Sequence, residues 1–163
     1  MIRIRPIAFL DTLSFTSNLR LRHWDRLKGS SRLTIHTEDG LPEFVEEWAS
    51  AKALLTRMRN ASAPFFGGRP AVLGDVWIEA IDADEQQPWM RMAKNEWMRI
   101  QTTLAPSPGY MLYCGGEATG VPVGQIVYVD HASPFCQANF GEIRHLNLVA
   151  HVRRPDADAA VQD

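Results

Sequence analysis

Only two cysteines, Cys114 and Cys136, occur in 163 residues. That is too few for the disulfide framework of a small secreted domain, and the start Met-Ile-Arg-Ile-Arg lacks a secretory apolar region, so reduced thiols and a cytoplasmic location are expected. Spacing alone leaves open whether the two cysteines are bonded to each other. No apolar run approaches the roughly 18 residues of a membrane-spanning helix, which excludes that class. Charge of one sign is also missing: 17 Lys and Arg stand against 19 Asp and Glu, for a formal net charge of −2. No sequence-level basic field therefore exists to attract a phosphate backbone, and nucleic acid is not the favoured partner. The most basic stretch, carrying Arg20, Arg22, Arg26, Lys28 and Arg32, reads as a solvated face. Gly67-Gly68 and Gly115-Gly116 are not followed by Lys-Ser or Lys-Thr, so neither forms a phosphate loop. No complete catalytic or cofactor signature is present, and the sequence predicts neither a cofactor nor a metal.

What is present is ordinary globular composition, 45% hydrophobic and 22% charged. A chain of this length fits one domain burying roughly 70% of its unfolded surface, without help from a metal or disulfide. Residues 1–155 are assigned to that domain, and the acidic, Ala-rich stretch 156–163 reads as a tail.

Periodicity predicts the elements. Residues 2–9 form an edge strand or arm because Pro6 cannot donate to a ladder. Leu13, Phe15, Leu19 and Leu21 alternate with polar residues and predict a strand over 13–22, with another over 32–37. From Pro42 to Asn60 the period turns helical through Phe44, Trp48, Ala51, Leu55 and Met58. Residues 63–70, around Phe65 and Phe66, form a turn-rich connector, and Val72–Ile81 reads as a strand covered on both faces. A second helix is predicted over 88–104, with Trp89, Ala93, Trp97, Ile100 and Leu104 on one stripe. Strands follow at 110–114 and 123–130. Residues 142–152 suit either a strand or a short helix. The expected fold is a single α+β domain: a mainly antiparallel sheet of about six to seven strands with two amphipathic helices packed on one face. A ferredoxin-like arrangement and a partly closed barrel both remain open.

Candidate chemistry gathers in residues 110–151. A nucleophilic cysteine needs an imidazole within hydrogen-bond reach, and Cys114 and His131 lie on consecutive predicted strands, with Gly115 and Gly116 able to offer backbone N–H groups to an oxyanion. Over residues 110–131 this layout loosely resembles the Cys–His deamidases of the cytotoxic necrotizing factor and chemoreceptor-deamidase type. That resemblance implies Cys114 as nucleophile and His131 as base in a deamidase, hydrolase or transferase. Over residues 127–151, Asp130-His131 with Asn147 and His151 is similar to the order in HNH nucleases. The implied roles are His131 as general base, Asp130 and His151 as metal ligands, and Asn147 as the residue that orients the loop. A zinc set of Cys114, His131, Cys136 and His145 has suitable ligand types but lacks paired close spacing.

With no motif complete, the leading expectation is a non-enzymatic interaction or assembly protein, such as a small phage-borne or mobile-element component or a binding inhibitor. It would bind another protein or copies of itself through Phe65, Phe66, Trp89 and Trp97, because aromatics supply large contact areas. An enzyme centred on His131 is the competing class.

Overall fold

The computed structural model describes residues 2–92 and 96–155. Ten strands form two antiparallel sheets in these residues. The larger sheet has the order β1-β8-β5-β10-β3-β2, with β1 Ile4–Phe9, β8 Gln125–Val129, β5 Met98–Ala105, β10 His145–Arg153, β3 Val72–Ile81 and β2 Arg32–His36. The smaller has the order β4-β9-β6-β7, with β4 Glu85–Gln86, β9 Phe135–Asn139, β6 Tyr110–Cys114 and β7 Glu117–Thr119. The expected single α+β domain, mainly antiparallel, is thus the observed class. Its two sheets match the partly closed arrangement rather than the ferredoxin-like one.

Side chains on successive strand residues point to opposite faces, and the larger sheet uses both. On one face Val76, Ile78, Ile100, Ile126, Leu146 and Leu148 are buried against helical residues Phe15, Leu19, Leu54 and Met58. On the other, Ile4, Ile81, Val127 and Val129 meet Tyr110, Leu112, Cys114 and Phe135 of the smaller sheet. β1 lies at the margin of the larger sheet, paired only with β8, and its register shifts between Pro6 and Ala8. No helix among the described residues is long and apolar enough to cross a membrane.

Three expected elements differ. Residues 13–22 are helical: α1 spans Leu13–Asn18 and runs into a π-helical turn at Leu19–His23 and a 3-10 turn at Trp24–Arg26. Phe15 and Leu19 are one helical turn apart and completely buried, while Leu13 and Leu21 point to solvent. The i,i+4 pair decides the conformation, and the alternation carries no buried face. The expected helix over 88–104 is replaced by β5. There Ile100 and Leu104 face the helices, while Arg99, Gln101 and Thr103 face the smaller sheet, and three β-branched residues suit the pleat. Before β5, Met90 pairs with Phe135 across an isolated bridge; residues 93–95 of the expected helix, Ala93 among them, lie outside the described residues. The helix over 42–60 is split into α2 Glu43–Glu46 and α3 Ala49–Ala61. The break falls at Trp48, whose ring is stacked on Phe15 at 4.8 Å and on His23 at 4.0 Å. The ambiguous stretch 142–152 contains β10, a central strand, and the expected tail at 156–163 lies outside the described residues.

The turn before β6 is tight. A Cβ on Gly109 would fall onto the backbone of Phe140 and Gly141, where the Phe140 N–H donates to the Gly109 carbonyl. Backbone cannot yield as a flexible side chain can, so Gly109→Ala should lower the unfolding free energy by about 2–3 kcal/mol in urea titration. Gly120→Ala, which meets only the Tyr110 carbonyl at 3.9 Å, should change it by less than about 1 kcal/mol.

Candidate functional site

The face of the larger sheet turned toward the smaller one is unexpectedly polar. β3 supplies Glu79, β5 supplies Arg99 and Gln101, and β10 supplies His145 and Asn147. Opposite them, β6 supplies Tyr110 and β9 supplies Gln137. Arg99, Gln101, Gln137, His145 and Asn147 are all buried. Polar groups in such a place must satisfy one another, and they do so as one connected network.

At its inner end the Ser107 N–H donates to His145 Nδ1 at 3.0 Å. Nδ1 is therefore bare, and the ring proton sits on Nε2, which donates to Asn147 Oδ1 at 2.9 Å. Asn147 Nδ2 donates to Gln137 Oε1 at 2.9 Å and to the Tyr110 hydroxyl at 3.2 Å. The Tyr110 hydroxyl donates to the same Gln137 oxygen at 2.6 Å and accepts from Gln101 Nε2 at 2.8 Å. Gln137 Nε2 then donates to Glu79 Oε2 at 2.7 Å. Arg99 closes the circuit, with Nε donating to Gln101 Oε1 at 2.9 Å and Nη2 to Glu79 Oε2 at 3.0 Å.

Protonation states follow. Burial alone would raise the Glu79 carboxyl, but the Arg99 charge and hydrogen bonds from Gln137, Arg99 and Gln87 hold it below the usual carboxylate range. Burial pushes the His145 imidazole down to about 4, a shift that the Asn147 hydrogen bond only partly offsets. The ring lies flat on Tyr110, with centroids 3.6 Å apart and planes 3° from parallel. Burial raises the Tyr110 hydroxyl, which stays a neutral donor.

Above the Glu79–Arg99 pair opens a cavity of about 390 Å³, walled by Trp77, Trp97, Met90 and Phe135 and rimmed by Arg32, Arg91, Glu38, Asp75 and His151. The Arg99 guanidinium lies 4.9 Å from the Phe135 ring, and Arg32 lies 3.9 Å from that of Trp77. Aromatic walls over a polar floor are the usual construction of a small-molecule site.

Of the residues singled out from the sequence, Trp97 and His151 line the cavity and His145 and Asn147 belong to the network, while the others are placed elsewhere. Cys114 is completely buried and its Sγ contacts the Asp130 carbonyl at 3.7 Å, while burial and then the Asp130 charge raise its thiol. His131 Nδ1 instead bonds the Tyr128 hydroxyl at 2.8 Å. Nucleophile and base are each committed to another partner, contrary to the Cys–His reading. Asp130 accepts from Ser133 Oγ, Ala132 N and Arg3 Nη1, whereas Asn147 belongs to the polar network and His151 meets Trp77 edge-on at 4.9 Å. The nuclease constellation is therefore not assembled. Cys136 lies opposite Tyr113, and Cys114 opposite Phe135, in the β6–β9 register. The two cysteines thus face opposite sides of the smaller sheet; both are free thiols, and the zinc set does not converge. Phe66 is buried, Phe65 packs on Tyr128 at 5.1 Å, and Trp89 is exposed beside Tyr113. Trp97 is buried in the cavity wall. His145 and Asn147 were candidates from the sequence in other roles, but Glu79, Arg99, Gln101, Tyr110 and Gln137 were missed, Arg99 and Gln101 because they fall within the helix expected over 88–104. Polar residues alternating with Ile100 and Leu104 are the signal that could have revealed an inward polar stripe.

No protein-family model matches the sequence, and no curated protein does. Among solved structures the chain is similar to AviO1 from Streptomyces viridochromogenes Tue57, at 16% identity and a TM-score of 0.66 over 94% of this chain and 89% of that one. It is also similar to the viral collagen prolyl hydroxylase of Paramecium Bursaria Chlorella virus-1, at 6% identity and a TM-score of 0.68 over 95% and 97%. A 2OG-Fe(II) oxygenase family protein from Burkholderia pseudomallei aligns at 11% identity and a TM-score of 0.58 over 89% and 92%. At these identities the shared property is the fold, a two-sheet jelly-roll type. It is a fold that enzymes use along nearly their whole length, which overturns the expectation of a non-enzymatic assembly protein and of a mobile-element interaction role.

One of these neighbours is a 2OG-Fe(II) oxygenase family protein, and iron makes specific demands on a donor set. Non-heme iron oxygenases hold Fe(II) with two imidazoles and a carboxylate. In the network the carboxylate is Glu79, already bonded by a guanidinium and an amide, and the imidazole is His145, whose lone pair is taken by Ser107. Among the described residues no three His, Cys, Asp or Glu side chains converge to hold a metal. These residues do not fit the iron group.

Titration of the protein with Fe(II) or Mn(II) under anaerobic conditions should accordingly show no stoichiometric site by calorimetry. The His145 shift sets a pH dependence. Its folded pKa lies below the unfolded value of 6.5, so the unfolded chain binds more protons between pH 6.5 and about 4, and stability falls as pH drops through that window. The loss attributable to His145 reaches at most about 3 kcal/mol. Glu79, with its lowered pKa, adds loss in the same direction at still lower pH. Thermal melts from pH 7.5 to 4 should show this slope, and His145→Gln should flatten it.

Proposed function

We propose that this chain binds a small organic substrate in the inter-sheet cavity, using an oxygenase-type fold without an imidazole–carboxylate iron centre. The observation that carries the reading is a cavity of about 390 Å³ whose aromatic walls stand over buried Arg99 and its ion-pair partner Glu79. The volume falls within the range of small-molecule sites. Trp77, Trp97 and Phe135 exclude water from the bound molecule, and low local dielectric strengthens any hydrogen bond made to the floor. The network behind Glu79 and Arg99 holds both side chains in one geometry, so the floor is preorganised. The two buried, unpaired thiols suit a reducing cytoplasmic compartment.

The likeness to oxygenases favours a second reading, in which the bound molecule is also transformed. In that case Arg99 would stabilise negative charge developing on a substrate oxygen, as preorganised donors do in enzyme sites.

Screening a library of neutral and anionic fragments by thermal shift should yield molecules that raise the melting temperature of the wild-type chain. Met90→Trp, which fills the cavity from its wall, should abolish those shifts while leaving the far-ultraviolet circular dichroism unchanged. Shifts that persist in Met90→Trp would place binding elsewhere.

A further inference from the structure

We propose that the cavity selects a neutral, flat molecule carrying a carbonyl-type oxygen, which docks on the Arg99 guanidinium. The inference rests on the small-molecule reading above and adds a ligand class to it.

Arg99 is 3% exposed and lines the cavity. A guanidinium has five N–H donors. The Nε donor goes to Gln101 and one Nη2 donor to Glu79. The remaining three make no hydrogen bond among the described residues. No Arg99 nitrogen is among the fully buried side-chain atoms left without a partner, so the unused donors open onto the cavity and present its floor to an incoming oxygen. The acceptor cannot come from Gln137, whose Oε1 already receives from Asn147, Tyr110 and Gln101.

Charge decides between a carbonyl and a carboxylate. Glu79 neutralises Arg99 at 3.0 Å. At the rim Arg32 and Arg91 are balanced by Glu38 and Asp75, so the described lining carries three basic against three acidic side chains. An anionic ligand would leave one buried charge uncompensated, whereas a neutral carbonyl accepts a charge-assisted hydrogen bond without that cost. Shape comes from the walls: the Phe135 and Trp97 rings suit a planar partner, because aromatic faces gain most from offset or edge contacts with another ring.

The test uses intrinsic tryptophan fluorescence and calorimetry on the full chain with four probes: benzamide and 2-pyridone, which are neutral, flat and carry a carbonyl; indole, which lacks the oxygen; and benzoate, which is anionic. Benzamide and 2-pyridone are expected to bind about tenfold or more tightly than indole and benzoate, and Arg99→Lys should erase that preference while indole binding persists. If Arg99→Lys fails to fold, the double variant Glu79→Gln, Arg99→Gln leaves no unpaired charge and serves the same purpose. Indole or benzoate binding as tightly as benzamide, or a preference that survives either variant, overturns this proposal. Indole binding lost in Met90→Trp with no carbonyl preference overturns the ligand class and retains the cavity reading. No binding by any probe overturns both.

Discussion

The ion pair of partly buried Glu79 and buried Arg99 is the constraint from which the rest of this molecule is organised. Two charges removed from water need each other, and they also need their other lone pairs and protons satisfied. That requirement draws in Gln101 and Gln137, and through them Tyr110, Asn147 and His145, so that one ion pair dictates the inward-facing residue on five different strands. It also fixes register. Slipping β9 by one position would turn Cys136 and Ala138 toward the larger sheet and carry Gln137 out of reach of every one of its partners.

The same arrangement explains how a fold used by oxygenases can present a different centre. Architecture supplies two facing sheets and an opening between them; chemistry depends on which side chains point inward. Here a guanidinium occupies the carboxylate, amides surround both, and the one imidazole of the network keeps its proton on the nitrogen facing Asn147. The interior is one connected hydrogen-bonded network beneath an aromatic vestibule, with donors of Arg99 left over toward the cavity.

Much of the scaffold was legible in the sequence. Val72–Ile81 reads as a strand because apolar residues occupy both of its faces, and the helix near 49–61 reads from its Ala51, Leu55 and Met58 spacing. Failures came where two periods compete. Phe15 and Leu19 satisfy both an alternating and a helical pattern, and only burial shows which pair of leucines is idle. Met98–Ala105 failed for a different reason: upstream Pro88 and Trp89 impersonate a helix start, and the tryptophan stripe conceals the alternation of Arg99 and Gln101 with Ile100 and Thr102. The site itself was largely illegible, since it is assembled from single residues of separate strands with no local spacing in common. His131 and Cys114 attracted notice as reactive residue types, but reactivity depends on a partner, and each is bonded to something else.

The margin of the larger sheet carries one more consequence. An open strand invites a second chain to extend the ladder, the first step toward filaments. On β1, Pro6 removes a donor from the middle of the strand, the shift between Pro6 and Ala8 bends it, and Arg5 places positive charge along the rim. Two such rims repel one another and cannot match their ladders. The protein therefore carries its own guard against end-on polymerisation, written into a strand whose Ile4 also belongs to the core.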